Sequence, residues 1–317
     1  MINNQQLPLP EHLRLIPSQT IRAQPYNDHT TNRITSNRET RLRAAQEEWR
    51  GLLSGNSSNL AQRPASRRRI VLTTENQLTN NPWGDPLQAK LEGITRIFSL
   101  NANGLSLDQR EGQYDELCKV AKEVQADVLC CQEHNLDTTQ SSVRRILYDT
   151  TRQHWSRSRV QFSSTPIPFS TQYKPGGTMI MIVDQMSGRI QSQTTDHLGR
   201  WASYTLRGRD SRSFTIISIY QVVTDAPRPG TTTAAAQQQS LLLHLRDPIT
   251  TPRKAFKRDL WQFVEAKAKQ GEEILIVGDF NEVFGSEIDG ISKLAADFNM
   301  VNLMKARHSG PLPATLT

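Results

Sequence analysis

Four apolar runs in this chain close on the same kind of polar cluster, and that repetition limits the folds open to it. Ile94–Leu100 ends at Asn101, Asp127–Cys131 runs into Gln132, Glu133 and His134, and Phe214–Tyr220 ends on a phenol. The fourth, Glu273–Val277, leads into Gly278-Asp279-Phe280-Asn281. Short apolar runs bounded by polar residues are the pattern of strands buried along their middles. A sheet built from them gathers carboxylates, amides and a phenol along one edge, where loops on a rigid scaffold carry function. Helical stretches alternate with the strands. Tyr114–Val124 places Leu117, Val120, Ala121 and Val124 on one face, Val143 to about Trp155 carries Ile146 and Leu147, and Arg253–Lys269 sets Phe256, Leu260, Phe263 and Val264 at helical spacing. Thr178–Val183 and Arg200–Arg207 are further strand-like runs, and a long polar, Gln-rich loop (AAAQQQSLLLHL) is expected before Arg253. There is no internal repeat at solenoid or propeller periods.

Residues 1–93 have a different texture. They are rich in Asn, Gln, Thr, Arg and Pro, and only Glu39 to Leu53 reads as a helix, with Leu42, Trp49, Leu52 and Leu53 in a stripe. Elsewhere this stretch offers too little apolar surface to offset its ordering entropy, so a basic, largely disordered extension is expected before a domain over 94–317. The whole chain carries +7, which suits an anionic partner, nucleic acid above all, or serves solubility alone. Arg67, Arg68 and Arg69 read as a solvated run or as a phosphate-contacting patch. Cys118, Cys130 and Cys131 lack the paired spacing of a zinc site and read as small buried hydrophobes in a reducing compartment. No apolar stretch approaches the roughly 18 residues of a membrane span, and MINNQQLPLPEH has no signal-peptide core, so an intracellular protein, nuclear or cytoplasmic, is expected.

Taken in order, SLNANGL (Ser99–Leu105), Cys131-Gln132-Glu133, PGGTMIMI, SIYQ and ILIVGDFNE resemble the motifs of the endonuclease/exonuclease/phosphatase family over residues 94–317. The resemblance implies an α+β fold, a four-layer α/β/β/α sandwich of two packed mixed sheets, and hydrolysis of phosphodiesters with Mg²⁺ (or Mn²⁺). That reaction needs a Lewis acid on a phosphate oxygen, a positioned water and help for the leaving alkoxide. Glu133 is a hard oxygen ligand suited to Mg²⁺. Asn101 would orient that carboxylate without adding charge, and Asp279, by analogy with the family, would orient and activate the attacking water. Asn281 would donate to the phosphoryl oxygen as charge develops, and Tyr220 offers a donor at the same rim. Asn103, Arg200 and Thr315 are the candidates for substrate contact.

Plainer readings stand beside these. Asp279 before Phe-Asn suits an Asx-turn. His134 reads as a surface loop residue rather than a ligand or base, and Asp196 with Gly199-Arg200 reads as a structural turn unless Arg200 reaches a phosphate. Arg144, Arg145 and Arg152 make either a solvated helix face or a backbone-contacting one.

The family's closing motifs, an aspartate-bearing strand and then Ser-Asp-His, do not follow Thr315, and His308 precedes it. The resemblance therefore implies a sheet without its last strands, and a missing general acid/base costs roughly 10²–10⁴ in rate, so weak or absent activity is expected. LNANGL, PGGTMI and PRKAFKRDLWQF look closest to endonuclease domains of retroelements, which act on DNA. A phosphatase-like relative acting on small or lipid phosphates, and a non-catalytic nucleic-acid-binding remnant, are the competing readings.

Overall fold

The computed structural model describes residues 87–107, 112–167, 173–223, 232–247 and 251–307. The expected helix at 39–53, the Arg67–Arg69 run, His308 and Thr315 lie outside the described residues.

The first sheet orders its strands β1-β2-β4-β3: β1 (Ile97–Asn101), β2 (Val128–Gln132), β3 (Ser158–Ser163) and β4 (Thr178–Val183). The second orders them β5-β6-β7-β8: β5 (Ile190–Thr195), β6 (Trp201–Arg207), β7 (Ser213–Tyr220) and β8 (Glu273–Asp279). Both sheets are mixed. β1 runs parallel to β2, and β7 parallel to β8, while the other neighbours are antiparallel. Parallel neighbours require crossovers. Helix α1 (Gln113–Glu123) lies in the first, and α4 (Ala234–His244) and α5 (Pro252–Lys269) lie in the second. The remaining helices are α2 (Ser141–His154), the short α3 (Asp184–Ser187), α6 (Ile291–Asp297) and α7 (Leu303–Arg307).

Period-two alternation sorts the core into layers. On β2 and β4, Val128, Cys130, Ile180 and Ile182 face the second sheet and meet Ala202, Tyr204, Leu206 and Ile216 there. The alternate residues Leu129, Cys131, Met179 and Met181 face away and pack with Tyr114, Leu117, Cys118 and Ala121 of α1 and with Val143 and Leu147 of α2. Across the second sheet, Trp201, Ile217 and Ile219 pack with Phe256, Leu260 and Val264 of α5 and Leu294 of α6. The result is helix on sheet on sheet on helix, the expected four layers. Each fully buried aliphatic side chain contributes roughly 1.5–3 kcal/mol, so the wholly buried β2 and β4 anchor the fold. The three cysteines are free and buried among these layers, as expected, and burial pushes the Cys118 and Cys130 thiols up to about 12.

The expected polar loop before Arg253 is in part helix α4. Thr233 caps it, its side chain accepting from the Ala236 amide at 3.1 Å, and three alanines follow, the best helix formers. Its glutamines escaped the apolar pattern because they are buried with polar partners: Gln237 accepts from the Thr165 hydroxyl, and Gln238 donates to the Leu198 carbonyl at 3.3 Å. Strand β5 was hidden for another reason. IQSQTT is mostly exposed, has no apolar alternation and shifts register at Ile190/Ser192, as an edge strand does.

β1 and β8 end the strand orders of their sheets among the described residues, stay half-buried, and lie against each other. That meeting of two strand ends places the site. No helix among the described residues is long and apolar enough to cross a membrane.

Candidate active site

Parallel register puts Asn101 opposite Gln132 and Tyr220 opposite Asp279, so each pair of strands delivers its C-terminal ends together. The two pairs are joined by one side chain. Asn101 Nδ2 donates to Glu133 Oε1 at 3.0 Å and to Asp279 Oδ2 at 2.7 Å, linking residues 178 apart in the chain. Its Oδ1 accepts from the Asn103 amide at 2.9 Å, which fixes the orientation of the carboxamide. Asn101 thus bonds two carboxylates rather than one, and orienting them is its proposed role.

Glu133 is left-handed, with φ 49°, as are Asn103 (45°) and Asn281 (44°). Non-glycine residues in this region cost of order 1–3 kcal/mol and persist where the surroundings hold them. The surroundings are visible here. The Gly104 amide donates to the Glu133 carbonyl at 2.7 Å, and the Leu105 amide to the His134 carbonyl at 2.9 Å, so the loop after β1 is stitched to the loop after β2. Gln132 ties the sheets together below, its Nε2 donating to Ser218 Oγ at 3.0 Å. The Glu133 carboxyl is held above the ordinary glutamate range, first by burial and also by the charge of Asp279, while hydrogen bonds from Asn101 and Tyr220 pull the other way. Tyr220 is buried, and burial, then the charges of Glu133 and Asp279, push its phenol well above the usual range, so it remains a proton-bearing donor.

Asp279 makes the expected Asx-turn and also meets Asn101. Its Oδ1 accepts from the Asn281 amide at 2.9 Å, while Oδ2 meets Asn101. Asn281 is turned inward, Nδ2 donating to the Gln221 carbonyl at 2.6 Å, a bond that takes one of its two amide hydrogens. Asn103 is exposed at the rim. Asp279 follows Gly278, whose φ is 140° and whose added Cβ would lie 2.1 Å from the Ile219 carbonyl oxygen on β7. Gly278→Ala is therefore expected to push β8 off β7 beside the site and to lower stability by about 2–4 kcal/mol. A denaturant midpoint within error of the parent would contradict this.

Two sequence expectations need correcting. Arg200 does not join the site. It is buried, its Nε and Nη2 bonding Asp196 at 2.7 and 2.9 Å and its Nη2 bonding Asp259 at 2.7 Å, with the guanidinium stacked on Trp201. Its charge is met by two aspartates of the chain itself, which fits the structural reading of that turn. His134 is not a surface residue. It is 1% exposed, Nδ1 accepts from the Leu136 amide at 3.1 Å, and the ring lies where a Cβ on Gly177 would come within 2.5 Å of it. The second glycine of PGGTMI (φ 86°) is thus needed for a close approach to this ring.

Burial depresses the His134 imidazole to about 4. In the unfolded chain it titrates near 6.5, so below that pH the unfolded state takes a proton the native state refuses. Stability from this group is complete above about pH 6.5 and declines as pH falls towards 4, by about 3 kcal/mol in all. Comparing unfolding free energies of the metal-free protein and His134→Asn across this range is expected to show one proton's worth of slope in the parent only. Equal slopes would refute it.

Arg144 is half-buried, and its Nη1 donates to the Thr138 carbonyl at 2.6 Å. Arg145 is exposed and paired with Asp149. Sequence reasoning missed Arg253, which is buried at the start of α5 and bonds the loops that follow both Tyr220 and Asp279.

The family model described as the Endonuclease/Exonuclease/phosphatase family matches residues 98–288, and the chain belongs to that family. No curated protein sequence matches it. Similar solved structures include an endonuclease/exonuclease/phosphatase family protein from Leptotrichia buccalis, at 14% identity over 64% of this chain and 74% of that one, TM-score 0.35. An AP endonuclease from Leishmania major is similar at 14% identity over 61% of this chain and 56% of that one, TM-score 0.40. A 3′ phosphatase from Neisseria bound to product DNA hairpin is similar at 15% identity over 61% of this chain and 60% of that one, TM-score 0.37. The chain thus spans less than two thirds of the latter two.

Proposed function

We propose that the chain hydrolyses phosphodiester bonds in DNA as a divalent-cation-dependent endonuclease, with Mg²⁺ (or Mn²⁺) as the cation. The observation that supports this most is the sharing of one Asn101 amide by the Glu133 and Asp279 carboxylates at the joined ends of two sheets. Two carboxylates held this close repel, and an oxygen-only donor set suits a hard cation. The residues present fit a Mg²⁺ site with Glu133 as its protein ligand, and the cation, when bound, supplies Lewis-acid stabilisation of charge on the phosphate.

The chain's own residues supply the rest. Asn101 holds Glu133 and Asp279 in fixed relation. Asp279, a carboxylate at the rim, accepts a proton from water and orients it. Tyr220 keeps its proton, which bonds Glu133 here and would turn to a phosphate or leaving oxygen when substrate is bound, and Asn281 has a second amide hydrogen for the phosphoryl oxygen. DNA as substrate is supported by the net charge of +7, and a retroelement origin by the forms LNANGL and PGGTMI.

Nicking of supercoiled plasmid by the full chain tests this reading. Mg²⁺-dependent nicking that is abolished by chelator and by Asp279→Asn is expected. Hydrolysis confined to phosphomonoesters or lipid headgroups would replace it with the phosphatase-like reading. Salt-sensitive DNA binding with no cleavage, unaffected by chelator, would replace it with a binding remnant.

A further inference from the structure

We infer that Arg253 is a positioning residue for the reaction, clamping the two loops that carry the Tyr220 and Asp279 ends of the site. The inference rests on the reading of that site as a hydrolytic one. Arg253 is 6% exposed and is the second residue of α5, where a cation gains nothing from the helix dipole. Its Nη1 donates to the Val222 carbonyl at 2.8 Å and to the Asn281 carbonyl at 3.0 Å.

Those two carbonyls occupy equivalent places. Tyr220 and Asp279 are register partners on parallel strands, and each accepting carbonyl lies two residues further on. One guanidinium nitrogen thus ties the two loop starts together immediately outside the site. The same loops are tied again by Asn281 Nδ2 to the Gln221 carbonyl at 2.6 Å and by the Gln221 amide to the Asp279 carbonyl at 2.9 Å. The Arg253 bond falls on the carbonyl of Asn281, the residue held at φ 44°, so it holds that left-handed turn in place.

The fork's other nitrogen faces acid. Nη2 pairs with Glu287, and Glu282 lies 3.9 Å away. Glu287 is held in turn by Lys257. The planar fork therefore has its charge neutralised on one side and its directional donors fixed on the other. A lysine would keep the charge and lose the fork.

Arg253→Lys in the full chain separates positioning from mere stability. Two quantities are read: steady-state plasmid cleavage with Mg²⁺, and amide hydrogen exchange of the segment around Asp279–Glu282. We expect kcat to fall about 10- to 100-fold with KM within about threefold, because a misplaced group costs transition-state rather than ground-state binding. Exchange at Asn281 and its neighbours is expected to quicken at least about tenfold while the buried β2 and β4 stay protected. A folded variant with unchanged kcat and unchanged exchange overturns the inference, and so does a general loss of protection with no split between kcat and KM. If Arg253→Lys does not fold, Arg253→Gln is read by the same two measurements. Failure of the wild-type chain to cleave would overturn the hydrolytic reading instead. The exchange measurement alone would then decide, with unchanged exchange overturning the clamp.

Discussion

Glu133→Gln is expected to abolish cation-dependent cleavage while making the metal-free protein more stable. The two effects share one cause. Glu133 faces the Asp279 carboxylate across the shared Asn101 amide, and its carboxyl is already held above the glutamate range by burial and by that neighbour. A neutral amide keeps the shape, removes the repulsion and removes the hard anionic ligand. Loss of that ligand is expected to cost about 10³-fold or more in kcat/KM, roughly 4 kcal/mol of transition-state stabilisation. Relief of the repulsion is expected to give on the order of 1 kcal/mol, which raises Tm by about 2–4 °C in a domain of this size. Thermal unfolding in chelator, beside a cleavage assay, reads both. A variant that loses stability along with activity would point to a packing role for Glu133 and against a cation site.

Arg200→Met is expected to do the reverse, damaging the fold and sparing the chemistry. Removing the guanidinium leaves Asp196 buried without its bidentate partner and strips Asp259 of one of its cations, with Arg258 remaining. Breaking a buried ion pair from one side costs about 3–5 kcal/mol. The Arg200 carbonyl would still accept from the Tyr220 amide, so the site's backbone frame survives wherever the chain stays folded. Chemical denaturation should show the loss. Cleavage per folded molecule should remain within about threefold of the parent, since this buried side chain is paired with Asp196 and Asp259. A specific rise in KM for DNA with unchanged stability would restore Arg200 to the substrate-contacting role suggested by its place in the sequence.

The pair of outcomes also shows what a sequence of this kind makes legible. Strands with buried middles and polar ends are local patterns, so the ends at Asn101, Glu133, Tyr220 and Asp279 could be read off directly, and parallel register brings them together. The four layers were implied by the family resemblance, and the structure fills them through period-two alternation on β2 and β4, whose two apolar faces meet a sheet on one side and helices on the other. What escaped depends on distant partners. Arg200 shares its charge with Asp259, 59 residues away, besides the Asp196 of its own turn, and His134 is covered by Gly177 through a backbone approach no periodicity records. Arg253 looked like one more basic residue on an amphipathic helix because its partners, the carbonyls of Val222 and Asn281, carry no side-chain signature. Helix α4 was missed because polar burial imitates a loop.

The proposal stands or falls on Glu133, held by Asn101 opposite Asp279 at the joined ends of the two sheets, being the protein ligand of one divalent cation. Titration of the chain with Mn²⁺, followed by the electron paramagnetic resonance of the free ion, tests it without reference to any substrate. The account predicts a site at one ion per chain that Mg²⁺ displaces and that Glu133→Gln removes, the variant remaining folded. Binding of the same stoichiometry and affinity in Glu133→Gln would contradict it.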